Sequence, residues 1–202
     1  MENEMLNRQD LYEKVKLVKG KDFLTIEDTE ELNTEEMLYL ISHLITDPSV
    51  KEISSLNILV NSKFTDRVDF YLKKNDFQFD DELVTVFKIL QLDNTRDKGF
   101  TFKSLHEVSR EDFIHIWEQT EPGTEDEGRL FYFGLIPSER GKGKSKLLHL
   151  QAIQMLESDL HASFYIGCTS KNNTPMLKTF MNNGCTELKR YRAYKRKTDI
   201  VG

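Results

Sequence analysis

The chain has 202 residues, of which 38% are hydrophobic and 31% charged, so it can form one well-buried domain or two small ones that share a sheet. Its net charge of −6 argues against general nucleic-acid binding and favours cationic small substrates. No run approaches the roughly 20 apolar residues of a membrane helix, the N-terminus is polar, and the two cysteines lack metal or disulfide spacing, so we expect a cytoplasmic protein without membrane or metal partners.

The first half of the chain predicts strands that alternate with helices. Asn33 or Thr34 can cap one helix, which ends near Pro48. A second helix has apolar residues at i, i+3 and i+4 spacing on one face. The predicted strands are 23–26, 56–60 and 83–90, and the predicted helices are 34–46 and 65–75.

The second half predicts a longer series of the same kind after a polar linker at residues 93–99. Ser109 can cap its first helix. The predicted strands are 100–108, 130–136, 164–169 and 188–196, and the predicted helices are 110–120, 144–158 and 174–183. Strands that alternate with helices in this way predict a mixed α/β sheet covered by helices.

An internal repeat relates the two halves. When the sequence is shifted against itself by 108 positions without a gap, the predicted elements coincide in order. The residues that then meet identical partners are Leu40, Ile45, Ser55, Ile58, Ser62, Lys63 and Asn75. We therefore expect two related β-α-β-α-β halves from a duplication, at residues 1–92 and 100–202, joined by the linker.

The most informative stretch is residues 131–145, where a buried strand runs into a glycine-rich turn that opens onto a helix. A helix N-terminus has unpaired backbone N–H groups and a partial positive charge. Gly141 and Gly143 allow positive φ angles, so that successive N–H groups can converge on a phosphate. Arg140, Lys142 and Lys144 add positive charge. We call residues 140–145 the cradle and predict that it binds a pyrophosphate.

Two other interpretations of the cradle are open. Its glycines and lysines can form a solvated turn, because short glycine-rich matches have a high false-positive rate. The stretch from Ser138 to Ser145 also approaches the P-loop of nucleotide-binding proteins, although Ser138 replaces the first glycine of that pattern. Pro137 before the turn argues against a nucleotide, as does the lack of a strand that ends in an obvious magnesium-binding aspartate.

From Arg140 onward the sequence resembles the GNAT family of acyl-CoA-dependent N-acetyltransferases. The family's loop reads Gln or Arg, two residues, Gly, one residue, then Gly or Ala. The residues that match it, with serine as a small variant, are Arg140, Gly143 and Ser145. A second signature has an asparagine, then Met or Ala, an aromatic residue and Gly at fixed spacing. The residues that match it are Asn173, Met176, Phe180 and Gly184. The resemblance covers roughly residues 129–197.

The resemblance implies a GNAT-like central mixed sheet flanked by helices, with acetyl-CoA as cosubstrate. The backbone of Phe133, Gly134 and Leu135 would pair with the pantetheine arm, and Gly134 would help its strand splay from the neighbouring strand. Asn173 would bind the pantetheine side. The residues that would hold the pyrophosphate are Arg140, Gly141, Lys142, Gly143, Lys144 and Ser145. The implied activity is acetyl transfer to a primary amine of a small acceptor, and family members often form homodimers.

Phe180 departs from the family, where many members have a tyrosine that protonates the departing thiolate. Phenylalanine has no hydroxyl, so we expect a core residue there and assign no catalytic acid. Tyr132, Tyr165 and Cys168 are alternatives for which packing is the expected role. His149 is expected to be a satisfied, partly buried histidine, so no general base is assigned either.

Two further departures concern missing parts. The segment between the helix at 110–120 and the strand at 130–136 is too short for two strands that the family has there. We expect residues 124–128, with their three carboxylates at 125–127, to form an exposed acidic loop. Under the 108-residue shift, Leu32, Asn33, Thr34 and Glu35 replace the first four residues of the cradle, and Thr65 replaces Asn173. We expect the first half to be a degenerate copy that binds no coenzyme A.

The predicted function is therefore N-acetyl transfer from acetyl-CoA to an unidentified small amine, with a backbone N–H near Leu135 stabilising the developing oxyanion. A non-catalytic acyl-CoA-binding or regulatory protein on a degenerate acetyltransferase fold is the alternative. Phe180 and the missing strands are the observations that favour this alternative.

Overall fold

A computed structural model describes residues 8–50, 53–91, 126–130, 134–135 and 137–197. Its α-helices are α1 (Arg8–Glu13), α2 (Thr34–Thr46), α3 (Asp66–Lys74), α4 (Lys144–Leu160) and α5 (Thr174–Asn182). Its strands are β1 (Lys16–Lys19), β2 (Phe23–Glu27), β3 (Ser55–Asn61), β4 (Gln78–Ile89), β5 (Glu127–Arg129), β6 (Phe164–Ser170) and β7 (Thr186–Lys197). No helix in these ranges is long and apolar enough to cross a bilayer.

The strands form a mixed sheet in the order β1-β2-β3-β7-β4-β6-β5. The β1–β2 and β3–β7 pairs are antiparallel, whereas the β2–β3 and β5–β6 pairs are parallel. Parallel neighbours need a crossover, and helices provide it in the sequence between them. The predicted mixed α/β fold with flanking helices is confirmed.

The repeat is visible in the bounds of the elements. Shifting the first half by 108 positions places the 3₁₀ turn Thr29–Glu31 on the 3₁₀ turn Pro137–Glu139, helix α3 on α5, and strand β4 on β7, with identical ends in each case. Asp76 after α3 and Gly184 after α5 both have positive φ, at 64° and 77°. The bounds of these three pairs of elements agree with the predicted repeat, while the predicted division of the chain at residues 93–99 stays a prediction.

The compact units of the fold divide the chain differently from the repeat. One unit comprises residues 1–83 and 189–202, and the other comprises Val84–Leu188. The second part of β4 thus belongs with elements of the second half, and most of β7 belongs with elements of the first. The predicted linker 93–99, strand 100–108 and helix 110–120 lie outside the described residues.

The first unit has its core between helix α2 and the strands. Met37, Leu40, Ile41 and Leu44 of α2 are buried, which is the i, i+3, i+4, i+7 pattern of a helix with one apolar face. Strand β3 alternates buried and half-buried side chains over Ser55–Asn61 before two buried residues at its end. Burying a Leu, Ile or Met side chain stabilises a fold by about 1.5–3 kcal/mol, so this face anchors α2.

The second unit has a separate core of apolar and aromatic side chains. Ile153 and Leu156 of α4 pack with Tyr165 of β6 and Phe180 of α5. Gly128 of β5 lets α4 approach closely, because a Cβ at this position would lie 3.0–3.1 Å from atoms of Leu156 and Ala162. These contacts fix α4 and α5 against strands β5 and β6.

Several boundaries differ from the sequence prediction. Helix α1 and strand β1 were not predicted, because they are short and β1 is mostly exposed. Strand β4 begins at Gln78, since ladder pairing continues through exposed polar positions that carry no apolar pattern. Strand β5 at Glu127–Arg129 precedes the strand predicted at 130–136, most of which lies outside the described residues, so Glu127 is not in the expected exposed loop. It is half-buried and ion-paired with Arg129.

Candidate functional site

The cradle follows the 3₁₀ turn Pro137–Glu139 and contains two glycines with left-handed backbone conformations. Gly141 has φ of 74° and Gly143 has φ of 73°. An L-residue in this region costs roughly 1–2 kcal/mol, which explains why glycine occupies both positions. A Cβ built on either glycine meets nothing within 4 Å. The backbone of the cradle is therefore open to a ligand.

Gly143 is the N-cap residue of α4, and it has no side chain that could accept from the first turn. The first N–H groups of an α-helix have no partner within the helix and are normally satisfied by a cap, water or ligand. Helix α4 is 17 residues long, so its N-terminus carries the usual partial positive charge. The start of α4 can therefore accept an anion.

Basic side chains surround this helix start. Lys142 and Lys144 are exposed and both donate to the carboxylate of Glu139, the former over 3.1 Å. These hydrogen bonds, first from Lys144 and then from Lys142, hold the pKa of Glu139 below its usual value. Arg140 donates from Nε to the carbonyl oxygen of Leu135 over 2.8 Å, which joins the cradle to the segment before it. The cationic groups of the cradle thus make hydrogen bonds that lie at the protein surface.

The segment predicted to face the pantetheine arm is described only in part. Phe133 lies outside the described residues, whereas Gly134 is exposed and Leu135 half-buried, and neither is in a strand. The recorded pairing of β5 with β6 ends at Arg129 opposite Ile166, although β6 continues to Ser170. Most of the segment that would continue β5 opposite the end of β6 lies outside the described residues, so the splaying of this pair stays a prediction.

Asn173 is the N-cap residue of α5. Its Oδ1 accepts from the N–H of Met176 over 3.2 Å, and its Nδ2 donates to Oγ1 of Thr169 over 3.1 Å. One amide hydrogen is left for another acceptor. The asparagine predicted to bind a ligand thus also caps a helix, a role that was not predicted although an asparagine before a predicted helix is a signal for it.

The first turn of α4 is held to α5 by polar contacts. Oγ1 of Thr179 lies 3.2 Å from Oγ of Ser145, and Nδ2 of Asn183 donates to the carbonyl oxygen of Lys146 over 2.9 Å. Thr179 and Asn183 are both about 95% buried. Neither was singled out in the sequence for this role. The repeat identity of Asn183 with Asn75 was the available signal.

His149 and Tyr165 continue this polar group into the core of the unit. His149 is fully buried, its Nδ1 lies 2.9 Å from Nδ2 of Asn183, and its Nε2 lies 3.2 Å from the Tyr165 hydroxyl. Burial, with a smaller contribution from the charge of Lys88, lowers the pKa of His149 to about 4. Burial also raises the pKa of Tyr165. At neutral pH both side chains are therefore uncharged.

The candidates for proton transfer lie mainly in the core. Phe180 is 2% exposed and its ring packs on those of His149 and Tyr165, as predicted for a core residue. Tyr165 is also buried, while Tyr132 lies outside the described residues. Cys168 is exposed, with its sulfur 3.9 Å from Oγ1 of Thr85. No group of three or more potential metal-ligating side chains occurs in the part of the chain that the structure describes.

The basic residues near the end of the chain form ion pairs within the first unit. The pairs are Lys189 with Asp28 and Glu30, Arg190 with Glu82, and Arg192 with Asp69. Burial alone would lower the pKa of Lys189, but hydrogen bonds with Glu30 and Tyr191 raise it overall. These pairs join β7 to other elements of the first unit, so we assign the three cations no role in ligand binding.

Comparison with known proteins gives likeness in structure only. No family model matches the chain, and no curated protein matches its sequence. A tandem GNAT protein from the clavulanic acid biosynthesis pathway superposes with a TM-score of 0.56 at 7% identity, over 91% of this chain and 78% of the other.

Two GCN5-related N-acetyltransferases are similar to the chain in the same way. The one from Sphaerobacter thermophilus has a TM-score of 0.58 at 9% identity, over 91% of this chain and 76% of its own. The one from Kribbella flavida has a TM-score of 0.56 at 10% identity, over 93% of this chain and 91% of its own. The protein therefore has the GNAT fold, and the likeness extends well beyond residues 129–197.

Proposed function

We propose that this protein is an N-acetyltransferase that transfers an acetyl group from acetyl-CoA to a primary amine of a small acceptor. The observation that carries the proposal is the start of α4, where Gly141 and Gly143 hold the left-handed backbone of an open phosphate nest. The GNAT fold supports it, because the solved structures that share this fold include GCN5-related N-acetyltransferases.

In this proposal the cradle binds the pyrophosphate of acetyl-CoA. Backbone N–H groups of residues 141–145 donate to the phosphate oxygens, and the helix dipole adds to the attraction. Lys142 and Lys144 exchange their exposed contacts with Glu139 for contacts with phosphate, at little cost because exposed ion pairs contribute about 0–1 kcal/mol. Arg140 keeps its bond to Leu135 and directs its remaining N–H donors to the phosphate.

The pantetheine arm then extends along residues 133–135 beside β6. Phe133, Gly134 and Leu135 offer their backbone to the arm, and Asn173 offers its remaining amide hydrogen while it caps α5. The acceptor amine attacks the thioester carbon, the C–S bond breaks, and the thiolate leaves. The N–H of Leu135 stabilises the oxyanion, and the ammonium proton passes to solvent.

The acceptor is proposed to be a cationic amine, since the chain has a net charge of −6. Such an acceptor must lose a proton before it attacks, so the rate should rise with pH toward the pKa of the amine. Acetyl transfer to polyamines, amino sugars and aminoglycosides should be compared to identify the class of acceptor.

A non-catalytic acyl-CoA-binding protein is the second candidate. The observation that favours it is the burial of Phe180 against His149 and Tyr165, which places no ionisable proton donor at this position. Coenzyme A thiolate is a fair leaving group, and general acid assistance typically supplies about 10²–10⁴-fold, so its loss slows a transferase without abolishing the reaction. Release of free thiol in the presence of the amine acceptors separates the two candidates.

Thermal stabilisation by acetyl-CoA tests the binding step. A ligand at 100 times its dissociation constant should add about 2.7 kcal/mol to the free energy of unfolding, which raises the melting temperature. ATP at the same concentration should give a smaller shift. Gly143→Glu should remove the acetyl-CoA shift, because its carboxylate repels phosphate and its side chain strains the turn.

Gly184→Ala is the matched control for strain. Gly184 also has positive φ, at 77°, but lies after α5. This variant should melt lower and still show the full acetyl-CoA shift. If wild-type protein shows no shift at millimolar acetyl-CoA, both candidate functions are wrong.

A further inference from the structure

Two side chains of α5 hold the first turn of α4, in which the cradle ends. Thr179 lies 3.0 Å from the carbonyl oxygen of Pro175 and 3.2 Å from the hydroxyl of Ser145. A carbonyl can only accept, and Thr179 has one hydroxyl hydrogen, so that hydrogen goes to Pro175. The hydrogen between the two side chains then comes from Ser145. The Ser145 side chain is thereby directed to α5, and its backbone N–H is the group left to face a ligand.

Asn183 makes the second attachment. The carbonyl oxygen of Lys146 can only accept, so the Asn183 amide must present Nδ2 and not Oδ1 to it. The other Nδ2 hydrogen points to Nδ1 of His149, which must accept it, and Nε2 of His149 then donates to Tyr165. Lys88 donates to the carbonyl oxygen of Asn183 over 2.7 Å and fixes the end of α5. Both attached atoms of α4, Oγ of Ser145 and the carbonyl oxygen of Lys146, belong to its first turn.

The first half packs the equivalent helices without these attachments. Met37 and Ile41 are equivalent to Ser145 and His149, and both are fully buried apolar residues. Asn75 is equivalent to Asn183, but its Nδ2 donates within its own helix to the carbonyl oxygen of Tyr71. Buried apolar residues hold this helix pair together, with one exposed ion pair between Arg67 of α3 and Glu35 of α2. Buried polar attachments occur only in the half whose helix start is open, among the described residues, so packing of the pair does not require them.

We propose that Thr179 and Asn183 are positioning residues that hold the N–H groups of the first turn of α4 in the arrangement that binds pyrophosphate. This inference rests on the proposed function. A hydrogen bond fixes the relative orientation of the groups it joins, whereas apolar contacts permit one helix to slide and rotate on another. The two attachments therefore keep the N–H groups at the start of α4 pointing in one direction. Neither side chain needs to touch the ligand.

Thr179→Val tests the inference with little change of shape. The Pro175 carbonyl stays in its helix, and half-exposed Ser145 can turn to water, so the fold should be retained. The dissociation constant of acetyl-CoA should rise roughly three- to tenfold, the range that loss of one hydrogen bond gives. Thr179→Ser keeps the hydroxyl and should restore the affinity to within about twofold of the wild-type value.

Thr46→Val is the matched control. Thr46 also donates from its hydroxyl to the carbonyl four residues earlier, that of Ser42, but it lies on α2. It should leave the affinity for acetyl-CoA unchanged. Asn183→Ala should weaken acetyl-CoA binding at least as much as Thr179→Val, while Asn75→Ala in the first half should not. Melting curves and circular dichroism establish that each variant is folded.

S-acetyl-pantetheine separates positioning from general damage, because it has the thioester but no pyrophosphate. Thr179→Val should leave its dissociation constant unchanged while that of acetyl-CoA rises. An unchanged affinity for acetyl-CoA in folded Thr179→Val, or equal losses for both ligands, would overturn the inference and leave the proposed function standing. Wild-type protein that does not bind acetyl-CoA would overturn the proposed function as well.

Discussion

Helices α2 and α4 hold equivalent places in the repeat, and their first turns are built in opposite ways. Asn33 caps α2 by accepting from the N–H of Glu36 over 3.0 Å, and Glu36 accepts in return from the N–H of Asn33 over 2.8 Å. Lys14 donates to the other oxygen of Glu36 over 2.6 Å. Two N–H donors at this helix start, those of Asn33 and Glu36, are thus satisfied by the protein itself.

Helix α4 begins two equivalent positions later than α2, at Lys144, and glycines occupy the positions that α2 uses for its cap and first turn. Gly141 stands in the place of Asn33, and Gly143 in the place of Glu35. One helix start gains stability from its own side chains, and the other keeps its N–H groups available. On the proposed function, these two copies of one structural unit differ in acetyl-CoA binding through four consecutive residues.

The largest expected effect comes from giving α4 the capped helix start of α2. Replacing residues 141–144 with the first-half sequence Asn-Thr-Glu-Glu should abolish detectable acetyl-CoA binding, since it supplies a capping box and two carboxylates in place of the nest. The same change should raise the melting temperature of the unliganded protein, because two glycines are removed and a cap is gained. Calorimetry and thermal melts measure both. A graft that binds acetyl-CoA normally would contradict the comparison.

The next effect concerns the pH dependence that the second half gains from its polar core. His149 has a folded-state pKa of about 4, against 6.5 in the absence of burial, so the native state stays neutral where the unfolded chain takes up a proton. The stabilisation that neutral, buried His149 contributes to the free energy of unfolding is therefore complete above about pH 6.5 and falls as the pH drops toward 4. The loss should be about 3 kcal/mol of unfolding free energy.

Urea titrations between pH 7 and 4 measure this loss. His149→Gln keeps a donor and an acceptor but does not titrate. Whatever the stability of this variant at pH 7, it should lack the part of the pH dependence of unfolding free energy that comes from His149. If the slopes of the wild type and His149→Gln agree, His149 is not the group responsible.

A smaller effect is expected at the start of α2. Asn33→Ala removes the side-chain acceptor of the capping box and should lower the free energy of unfolding by about 1 kcal/mol. Asn33→Asp keeps an acceptor and should stay within a few tenths of a kcal/mol of the wild type. Denaturant titrations check both, and acetyl-CoA affinity should not change in either. A change in affinity would mean that the first half takes part in binding.

The smallest effect is expected at Glu139, whose carboxylate accepts from Lys142 and Lys144. Glu139→Gln releases both lysines for phosphate and should strengthen acetyl-CoA binding about two- to threefold at low salt, and less at high salt. Titrations at two ionic strengths measure it. Weaker binding in this variant would indicate that Glu139 orders the lysines and does not compete for them.

Sequence reasoning was most accurate where one face of an element is apolar. The pattern of Met37, Leu40, Ile41 and Leu44 specifies α2, and its predicted bounds of 34–46 are those observed. It did not locate β5 at Glu127–Arg129, because a three-residue strand with Gly128 carries no alternation. The need for that glycine comes from α4, which is distant in sequence. A close approach between elements cannot be read from the residues of one of them.

The candidate site shows the same limit. Gly141 and Gly143 were predicted from composition and spacing, and their positive φ angles agree with that prediction. Thr179 and Asn183 were not singled out for the site, since a buried hydroxyl or amide on a helix has many possible partners until the neighbouring helix is placed. The repeat gives some indication of these partners. Asn183 matches Asn75, while apolar Met37 and Ile41 correspond to polar Ser145 and His149.

The most direct test of the contrast between the two helix starts is the stoichiometry of acetyl-CoA binding in a calorimetric titration of the wild-type chain. The uncapped start of α4 and the capped start of α2 predict a single acetyl-CoA site per chain. The four-residue graft at 141–144 should eliminate this site, and Asn33→Ala should leave it intact. Two sites per chain, no site, or a site that survives the graft would contradict the account.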